Sequence, residues 1–237
     1  MSANAGMRGG IIAAGDGQRL RDAGFPMPKP LVPVAGTPLI ASVIGNFVAA
    51  GIRDLVIIVN EQEQDCVTWV RSHFPDLAID FIVKTTPSSL ASFREVSARL
   101  GAGRALISTV DAWCDPEAFV RFVGAAIAHP PTASVLAITP FVDDEKPLWV
   151  RVSAGKRIRE IGGTHGDAVT AGMYLLSARA RARAAVADHP RLRDFLMSLA
   201  DEGEALYGEV IDTVVDVDRP ADVLTAEALA LGRGVGR

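Results

Sequence analysis

The sequence predicts an α/β protein built on a doubly wound, mostly parallel β-sheet with a small antiparallel β insertion. Strand and helix patterns alternate along the first two-thirds of the chain, and the strands are short, nearly continuous apolar runs, as expected of strands buried on both faces. A chain of 237 residues with 49% hydrophobic content can also bury a full core. We therefore expect residues 1–237 to form one domain, in which about 141–176 form a β subregion.

The predicted elements of the first part follow one another regularly. Residues 10–14 form an apolar strand that ends in a glycine turn. Thr37 suits a helix N-cap and Pro38 the first helical position, so a helix is predicted from there to about Ala50. The elements that follow are strand 55–59, helix 63–73, strand 77–83, helix 89–100, strand 104–110, a helix that begins at Asp115-Pro116-Glu117, and strand 133–139.

The pattern changes after about residue 141. Residues 147–152 and 157–161, separated by a turn at Gly155, predict a β-hairpin or short antiparallel strands. The remaining predicted elements are loop 162–167, strand 169–176, helices across 178–202, strand 213–217 and a last helix that follows Asp218-Arg219-Pro220 to about Leu231. We interpret the arginine cluster of the helical segment as a solvated face; its members are Arg179, Arg181, Arg183, Arg191 and Arg193.

The glycine turn after the first strand is the most informative local feature. Gly15 and Gly17 allow a tight turn and a close approach of the backbone to a ligand. Successive amides in such a turn point at one spot and favour an anion. Arg19 adds a planar, forked cation and Lys29 a point charge. Together these features predict a triphosphate site.

Two common phosphate-binding loops do not fit this segment. A P-loop requires Lys-Ser/Thr after its second glycine, whereas Gln18-Arg19 follow Gly17. A dinucleotide fingerprint requires a small residue where Leu20 stands and an acidic residue about 20 positions further on, and Glu61 comes far too late.

The N-terminal unit instead resembles the signature of nucleotidyltransferases of the nucleoside-diphosphate-sugar pyrophosphorylase superfamily. Their pattern is a strand, Ala-Ala-Gly-x-Gly-x-Arg-Leu, and then Pro-Lys-Pro-Leu-x-Pro-Val-x-Gly-x-Pro-Leu, which residues 13–20 and 28–39 meet almost residue for residue. The resemblance implies a Rossmann-like sheet of the nucleotide-diphospho-sugar transferase type. It implies that Arg19 binds the β- and γ-phosphates and that Lys29 bridges the α-phosphate and the acceptor phosphate, both as catalytic residues. The residues that it implies around the nucleotide are Ala13, Ala14, Gly15, Asp16 and Gly17.

The same resemblance implies a Mg²⁺ site. Asp111 follows the strand 104–110, where the superfamily carries its metal aspartate, although Thr-Val-Asp-Ala-Trp replaces the usual Gly-Asp ending. Residues 215–222 are similar to the family's Asp-(Val/Ile)-Asp-Thr-Pro-Glu-Asp-Leu segment, with Arg219 in place of Thr. The second ligand is Asp218, slightly favoured, or Asp216. The alternative roles are structural: Asp111 in an Asx turn and Asp218 as a helix cap.

The base and the acceptor are less well defined. Residues 84–92 resemble the Asn-x-x-Ser-Leu loop of small cytidylyltransferases, and Ser88 and Ser89 either bind the base or ribose or cap the next helix. Residues 170–174 resemble the family strand beside the acceptor, which implies acceptor contacts for Thr170 and Gly172, and Glu209 is also expected to face the acceptor.

The resemblance therefore implies Mg²⁺-dependent nucleotidyl transfer from a nucleoside triphosphate to a sugar-1-phosphate or small phospho-alcohol, with release of pyrophosphate. Two alternatives remain: a metal-dependent glycosyltransferase of the related GT-A type, and a degenerate module that binds a nucleotide sugar without catalysis. The base, the acceptor and the oligomeric state stay open, a homodimer included.

Composition excludes several other classes. A net charge of −4 and a pI near 5.6 argue against a nucleic-acid-binding protein. No run of about 18 apolar residues occurs and residues 1–8 lack an apolar signal core, so we expect a cytoplasmic protein that does not enter a membrane. Two cysteines and four scattered histidines give no zinc-binding spacing.

Overall fold

The computed structural model describes residues 6–232; residues 1–5, which belong to the N-terminal segment considered above, and 233–237 lie outside the described part. The elements are β1 (Arg8–Ala13), α1 (Gln18–Asp22), a 3-10 turn (Lys29–Leu31), β2 (Pro33–Val34), β3 (Thr37–Pro38), α2 (Leu39–Ala49), β4 (Asp54–Val59), α3 (Gln64–His73), β5 (Ala78–Val83), α4 (Ser89–Arg99), β6 (Ala105–Thr109), β7 (Ala112–Trp113), α5 (Pro116–Ala128), β8 (Ser134–Thr139), β9 (Trp149–Val152), β10 (Ile158–Ile161), β11 (Ala168–Leu176), α6 (Ala178–Val186), α7 (Leu192–Asp201), β12 (Leu206–Val210), β13 (Val215–Asp216) and α8 (Pro220–Ala230).

A central sheet organises these elements. Strands β6, β1, β4 and β5 are adjacent and parallel, with β1 between β6 and β4. Beyond β6 the sheet continues through β11, which is antiparallel to β6, β8 and β9, and β10 pairs antiparallel with β9. β12 adds to β8 in parallel. The predicted α/β class, with a parallel sheet and an antiparallel β part, is confirmed.

Two hydrophobic clusters cover the two faces of this sheet. Because side chains alternate along a strand, Ile11 belongs to one cluster and Ile12 to the other. Helices α2, α3, α5 and α8 pack on the Ile11 side, where the rings of Phe47 and Phe119 lie 5.4 Å apart. Helices α4, α6 and α7 pack on the Ile12 side. Burial of each large apolar side chain contributes on the order of 2 kcal/mol, so these clusters fix the strand ends in place.

The second helix begins later than the sequence suggests. Thr37 and Pro38 form β3, which pairs antiparallel with β2, and α2 therefore begins at Leu39 without Thr37 as its cap. The turn between the two strands has Ala35 at φ 48° and Gly36 at φ 83°. Two successive positive φ values are the conformation of a tight hairpin turn, which explains why the chain forms a hairpin here.

The C-terminal third differs in two further ways. Strand β12 (Leu206–Val210) was not predicted, and the predicted strand 213–217 is reduced to the two residues of β13. β9 and β10, within the predicted subregion 141–176, extend the central sheet through β11. Within residues 6–232, no helix has the length and apolar character needed to cross a membrane.

The arginine cluster is not uniformly solvated. Arg181 is buried and donates hydrogen bonds to Ser97 Oγ at 3.0 Å and to the carbonyl oxygens of Gly101 and Gly103 at 2.9 and 2.7 Å. It therefore ties α6 to the turn after α4, which corrects the interpretation of these arginines as one exposed face.

Candidate active site

The glycine loop leaves the carboxyl end of β1, the strand between β4 and β6. Gly17 has φ 57°, and a Cβ at this position would lie 2.6 Å from Lys29 Cβ. Both facts require glycine, since other residues adopt this backbone conformation at a cost and the added atom would collide with Lys29. The loop is thus packed directly against the 3-10 turn that carries Lys29.

Lys29 lies at the centre of a charge cluster. Its side chain is 6% exposed, and Nζ lies 2.7 Å from Asp111 Oδ2 and 2.5 Å from Asp218 Oδ1. The other oxygen of Asp218 accepts a hydrogen bond of 3.1 Å from Arg19 Nη1. The structure thereby brings together four of the residues predicted to carry the chemistry: Arg19, Lys29, Asp111 and Asp218.

A second, two-stranded sheet makes this meeting possible. β13 pairs antiparallel with β7, so that Asp216 lies opposite Ala112. The amide of Val217 also donates to the carbonyl oxygen of Asp111 at 3.0 Å. These backbone bonds hold residues 216–218 beside the end of β6, more than 100 residues earlier in the sequence.

The charges of the cluster depend on one another. Burial lowers the pKa of Lys29, but the carboxylates of Asp111 and Asp218 outweigh it, so the pKa is raised and the amine stays charged. Burial likewise opposes ionisation of Asp111, yet Lys29 holds the pKa of Asp111 below its ordinary value. The negative charge of Asp111, together with burial, raises the pKa of Asp216 to about 8.

The donor set fits a hard cation. Lys29 touches both Asp111 and Asp218, so these carboxylates are near enough to share one positive charge. Asp216 adds a third carboxyl group, whose raised pKa reflects the excess of negative charge. No cluster of three or more metal-binding side chains is found between residues 6 and 232. Mg²⁺ commonly uses only one or two protein carboxylates and keeps phosphate oxygens and water as its other ligands, so Asp111 with Asp216 or Asp218 is sufficient.

Two cavities meet at the end of β6, and Thr109 and Asp111 line both. The first, of about 290 Å³, we call the glycine-loop cavity. Its other lining residues are Ile12, Ala14, Gly15, Asp16, Lys29, Thr86, Pro87, Ser88, Ser89, Ser92 and Val110. The predicted nucleotide residues thus share one space, except Ala13, which is buried within β1, and Gly17, which supports Lys29.

The second cavity, of about 240 Å³, we call the β11 cavity. Thr170, Gly172 and Asp216, all predicted for the acceptor or the metal, line it. Gly172 has φ 70°, and a Cβ there would lie 2.6 Å from Thr109 Oγ1. The glycine therefore permits β11 to pass close to Thr109 at the end of β6, in the segment where the register of β11 with β8 shifts between Thr170 and Tyr174.

The two predicted serines have structural contacts. Ser88 Oγ accepts from the amide of Ala91 at 3.2 Å and is the N-cap of α4. Ser89 Oγ accepts from the amide of Leu192 at 3.0 Å, which holds the start of α7. Each hydroxyl is thus an acceptor within the protein and keeps its own proton for donation, and both residues line the glycine-loop cavity.

Glu209 lies away from this group. The side chain is buried and bonded to His129 Nε2 and Lys156 Nζ, both at 2.8 Å. It is not among the residues that line the β11 cavity. The reason is β12: pairing with β8 places Glu209 opposite Ala137 and near the end of α5. In the structure Glu209 thus links the end of α5 to the β9–β10 turn, and its expected contact with an acceptor stays a prediction.

Several residues of the β11 cavity were not predicted. Thr109, Tyr174 and Arg193 line it, as do Asp143 and Asp144 of the loop after β8. Arg193 had been assigned to a solvated face, and its helical pattern contains no signal for a cavity. The two aspartates follow a predicted strand, so the rule that ligands bind at strand ends would have found them.

Comparison with known proteins adds an independent result. The family description "MobA-like NTP transferase domain" matches residues 9–195. The chain is 26% identical over 184 residues to CMP-5'-(3-aminopropyl)phosphonate synthase of Streptomyces rubellomurinus, which covers 78% of this chain and 26% of that protein. It is 27% identical over 242 residues to the bifunctional IPC transferase and DIPP synthase of Rubrobacter xylanophilus. This match covers 96% of this chain and 52% of that protein.

Among solved structures, the inositol-1-phosphate CTP transferase from T. maritima superposes with a TM-score of 0.78 at 18% identity. The match covers 97% of this chain and 98% of that one, which supports the fold. The chain spans about a quarter to a half of the length of the two curated relatives.

Proposed function

The chain belongs to the family of MobA-like NTP transferase domains, and from this premise we propose that it catalyses Mg²⁺-dependent transfer of a nucleotidyl group from a nucleoside triphosphate to a small phosphorylated acceptor. One observation carries the proposal: two cavities meet at Thr109 and Asp111, with Lys29 lining the first and Asp216 the second. Two anionic reactants need this arrangement, because they must approach each other beside positive charge.

The glycine-loop cavity suits the triphosphate. Gly15 and Asp16 of the glycine loop border it, and Lys29 supplies a buried ammonium that stays charged. Arg19 does not line this cavity; its half-exposed side chain contacts Asp218 at 3.1 Å and would exchange that contact for a phosphate oxygen. Preorganised cations of this kind stabilise the charge that grows on a leaving pyrophosphate.

The carboxylates suit the metal. When bound, Mg²⁺ neutralises charge on the α-phosphate and on the leaving group. Asp111 would hold it together with Asp216 or Asp218. Asp216 is now the better second candidate, because Lys29 and Arg19 already occupy both oxygens of Asp218.

The reaction needs no protein nucleophile. An oxygen of the acceptor phosphate or phosphonate attacks the α-phosphorus, the bond from that phosphorus to the bridging oxygen of the β-phosphate breaks, and pyrophosphate leaves with the bonding electrons. Lys29 and Arg19 orient the reactants and offset their charge, while Asp111 lies between the two cavities.

The β11 cavity suits a hydroxylated acceptor. The hydroxyl-bearing residues Thr139, Thr170 and Tyr174 line it, and Lys146 and Arg193 supply two cations for a phosphate or phosphonate. The relatives act, by their names, on a phosphonate and on inositol-1-phosphate, which supports a sugar-1-phosphate, phospho-alcohol or phosphonate as the acceptor class.

The test is pyrophosphate release by the full chain with Mg²⁺, each of CTP, UTP, GTP, ATP and dTTP, and pools of sugar-1-phosphates, phospho-alcohols and phosphonates. CTP is the first choice, since two of the relatives are named for cytidine nucleotides. We expect release with one triphosphate and one pool, and its loss in Asp111→Asn with nucleotide binding retained. Tight nucleotide binding without release from any pool would contradict transfer and favour a binding module.

A further inference from the structure

Three arginines from separate elements hold one loop at the mouth of the β11 cavity. The loop comprises residues 143–146, and we call it the acidic loop; Asp143, Asp144 and Lys146 line the cavity. Arg193 of α7 donates to the carbonyl oxygen of Lys146 at 3.1 Å. The other two, Arg19 and Arg219, both approach Glu145.

Arg219 makes contacts on two sides. Toward the loop, Nη2 donates to the carbonyl oxygen of Asp143 at 2.7 Å and Nη1 donates to Glu145 Oε1 at 3.2 Å. Toward α8, Nη2 and Nε donate to the buried carboxylate of Asp222 at 2.7 and 3.1 Å. These contacts use all three nitrogens of the planar guanidinium, a spread of donors that the single hydroxyl of threonine or the single ammonium of lysine does not reproduce.

Asp222 extends this connection to the charge cluster. One of its oxygens accepts from the backbone amides of Asp218 and Arg219 at 3.0 and 2.7 Å. The acidic loop is therefore linked through Arg219 and Asp222 to the backbone of Asp218, which contacts Lys29.

Arg19 cannot replace Arg219 in this role during turnover. Arg19 Nη2 lies 3.7 Å from Glu145 Oε2 and its side chain is half exposed. In the proposed function Arg19 binds the triphosphate, so phosphate oxygens compete with Glu145 for it. Arg193 lines the cavity itself and is exposed to the acceptor in the same way. Neither Arg19 nor Arg219 lines either cavity, but Arg219 is also held by the buried carboxylate of Asp222, at 2.7 and 3.1 Å, and is therefore not needed by either reactant.

We propose that Arg219 is a positioning residue that keeps the acidic loop at the β11 cavity while the triphosphate engages Arg19. The proposal rests on the proposed function, because it gives the β11 cavity to the acceptor. It goes beyond that function by assigning acceptor affinity to a residue that touches neither reactant.

The first measurement is hydrogen–deuterium exchange of the full chain, which requires no substrate. The variants are Arg219→Gln, Arg219→Lys and, as a matched control, Arg121→Gln on the exposed face of α5, where Arg121 forms an ion pair with Glu117 at 3.8 Å. We expect faster exchange of the amides of residues 143–146 in Arg219→Gln, with Arg219→Lys also faster than wild type and Arg121→Gln unchanged. Unchanged exchange in a folded Arg219→Gln protein would overturn the contact.

The second measurement is steady-state kinetics with the triphosphate and acceptor pool that give release. We expect Arg219→Gln to raise the KM for the acceptor about tenfold, as for loss of a charge-assisted hydrogen bond, with little change in kcat or in the KM for the triphosphate. Glu145→Gln should raise the same KM, and the double variant should be no worse than Arg219→Gln alone.

The outcomes separate the two proposals. A fall in kcat together with similar rises in the KM values for both substrates would indicate general damage to the protein and overturn the positioning role. An acceptor KM that stays unchanged despite faster exchange would also overturn it, and would leave the proposed function standing. A wild-type protein that releases no pyrophosphate would overturn the proposed function and with it the kinetic role, whereas the exchange experiment would still decide whether Arg219 holds the loop.

Discussion

Lys29 is the residue on which the charge balance of the candidate site depends. Its buried ammonium contacts two carboxylates, and without it Asp111 would lose this ion pair while Asp218 would keep its contact with Arg19. Since its pKa is raised, the amine keeps its proton throughout the range in which the enzyme can be assayed. A positive charge at this point is therefore a fixed property of the fold.

Replacement of Lys29 by alanine should reduce kcat/KM by about 100-fold, equivalent to roughly 3 kcal/mol of transition-state stabilisation, because a preorganised donor is removed. Pyrophosphate release measures the change. Arg99→Ala, which removes a half-exposed cation paired with Asp80, is the control and should leave the rate nearly unchanged. A Lys29→Ala effect within about 1 kcal/mol would mean that the Pro-Lys-Pro segment only shapes the turn.

Glu63 is a buried acid that the proposed chemistry does not use. It precedes α3, its Oε2 atom has no hydrogen-bond partner within residues 6–232, and burial raises the pKa of its carboxyl to about 7. The native state therefore holds a proton that the unfolded state, with an ordinary pKa near 4.3, releases earlier. Stability contributed by the neutral form is complete below that ordinary value and is lost as the pH rises toward 7.

Replacement of Glu63 by glutamine should consequently stabilise the protein at pH 8 by about 1–3 kcal/mol and have little effect at pH 5. Urea unfolding at the two pH values measures the difference. Glu61→Gln, at an exposed position two residues earlier, should change neither value. Equal stabilisation at both pH values would show that the effect does not arise from ionisation of Glu63.

At the scale of elements, the starts of α4 and α7 are tied together beside the glycine-loop cavity. Ser88, the residue before α4, caps this helix by accepting from the amide of Ala91. Ser89, the first residue of α4, accepts from the amide of Leu192 at the start of α7. A loop that was predicted either to read the base or to cap a helix thus contains two caps. Contact of the Ser88 and Ser89 hydroxyl protons with a base is a separate property, and a serine-to-alanine substitution tests it through the preference for one triphosphate.

Replacement of Ser89 by alanine should lower the free energy of unfolding by about 1 kcal/mol, as for the loss of a cap, and should lower kcat/KM equally for every triphosphate. Thermal unfolding and pyrophosphate release measure the two effects. Ser72→Ala on the exposed end of α3 is the control and should be nearly neutral. A change in the preferred triphosphate would instead show that Ser89 contacts the base.

The predicted elements failed at short strands, whose formation depends on a pairing partner more than on their own composition. Residues 37–38 have the composition of a helix start, but the turn at Ala35 and Gly36 pairs them with β2. β12 contains a glycine and a glutamate and has no clear strand pattern, and it forms because β8 offers a free edge. Long apolar strands such as β1 and β4 were predicted correctly, because nearly all of their residues are apolar and buried.

At the scale of the whole molecule, Glu209 joins three segments that are far apart in the chain. It connects β12 with His129 after α5 and with Lys156 in the β9–β10 turn. Burial opposes its ionisation, but its bonds to Lys156 and His129 hold the pKa of Glu209 below the ordinary value. For a depressed pKa, the stability is present above the ordinary value and is lost as the pH falls through the lower one.

Replacement of Glu209 by glutamine should therefore lower the free energy of unfolding by about 1–2 kcal/mol at pH 7, and the difference should shrink as the pH falls below about 4. Urea unfolding across this range measures it. Glu160→Gln on β10, a half-exposed acid paired with Arg151, is the control and should have a much smaller effect. If Glu209→Gln lost activity while its free energy of unfolding stayed unchanged, Glu209 would have to act on the acceptor and not in stabilising the fold.

The sequence by itself determined the α/β class, the glycine loop, the family resemblance and the identity of the charged residues, because each of these is encoded in a contiguous stretch. Only the tertiary structure decided how they meet. Lys29 is 82 residues from Asp111 and 189 from Asp218, and no local pattern encodes such distances. They are set by β6 beside β1 and by the pairing of β13 with β7. The pairing of β13 with β7 also holds the chain before Arg219 near the acidic loop, and the pairing of β12 with β8 keeps Glu209 out of the cavity. Backbone hydrogen bonds between distant strands therefore fix which side chains share a space.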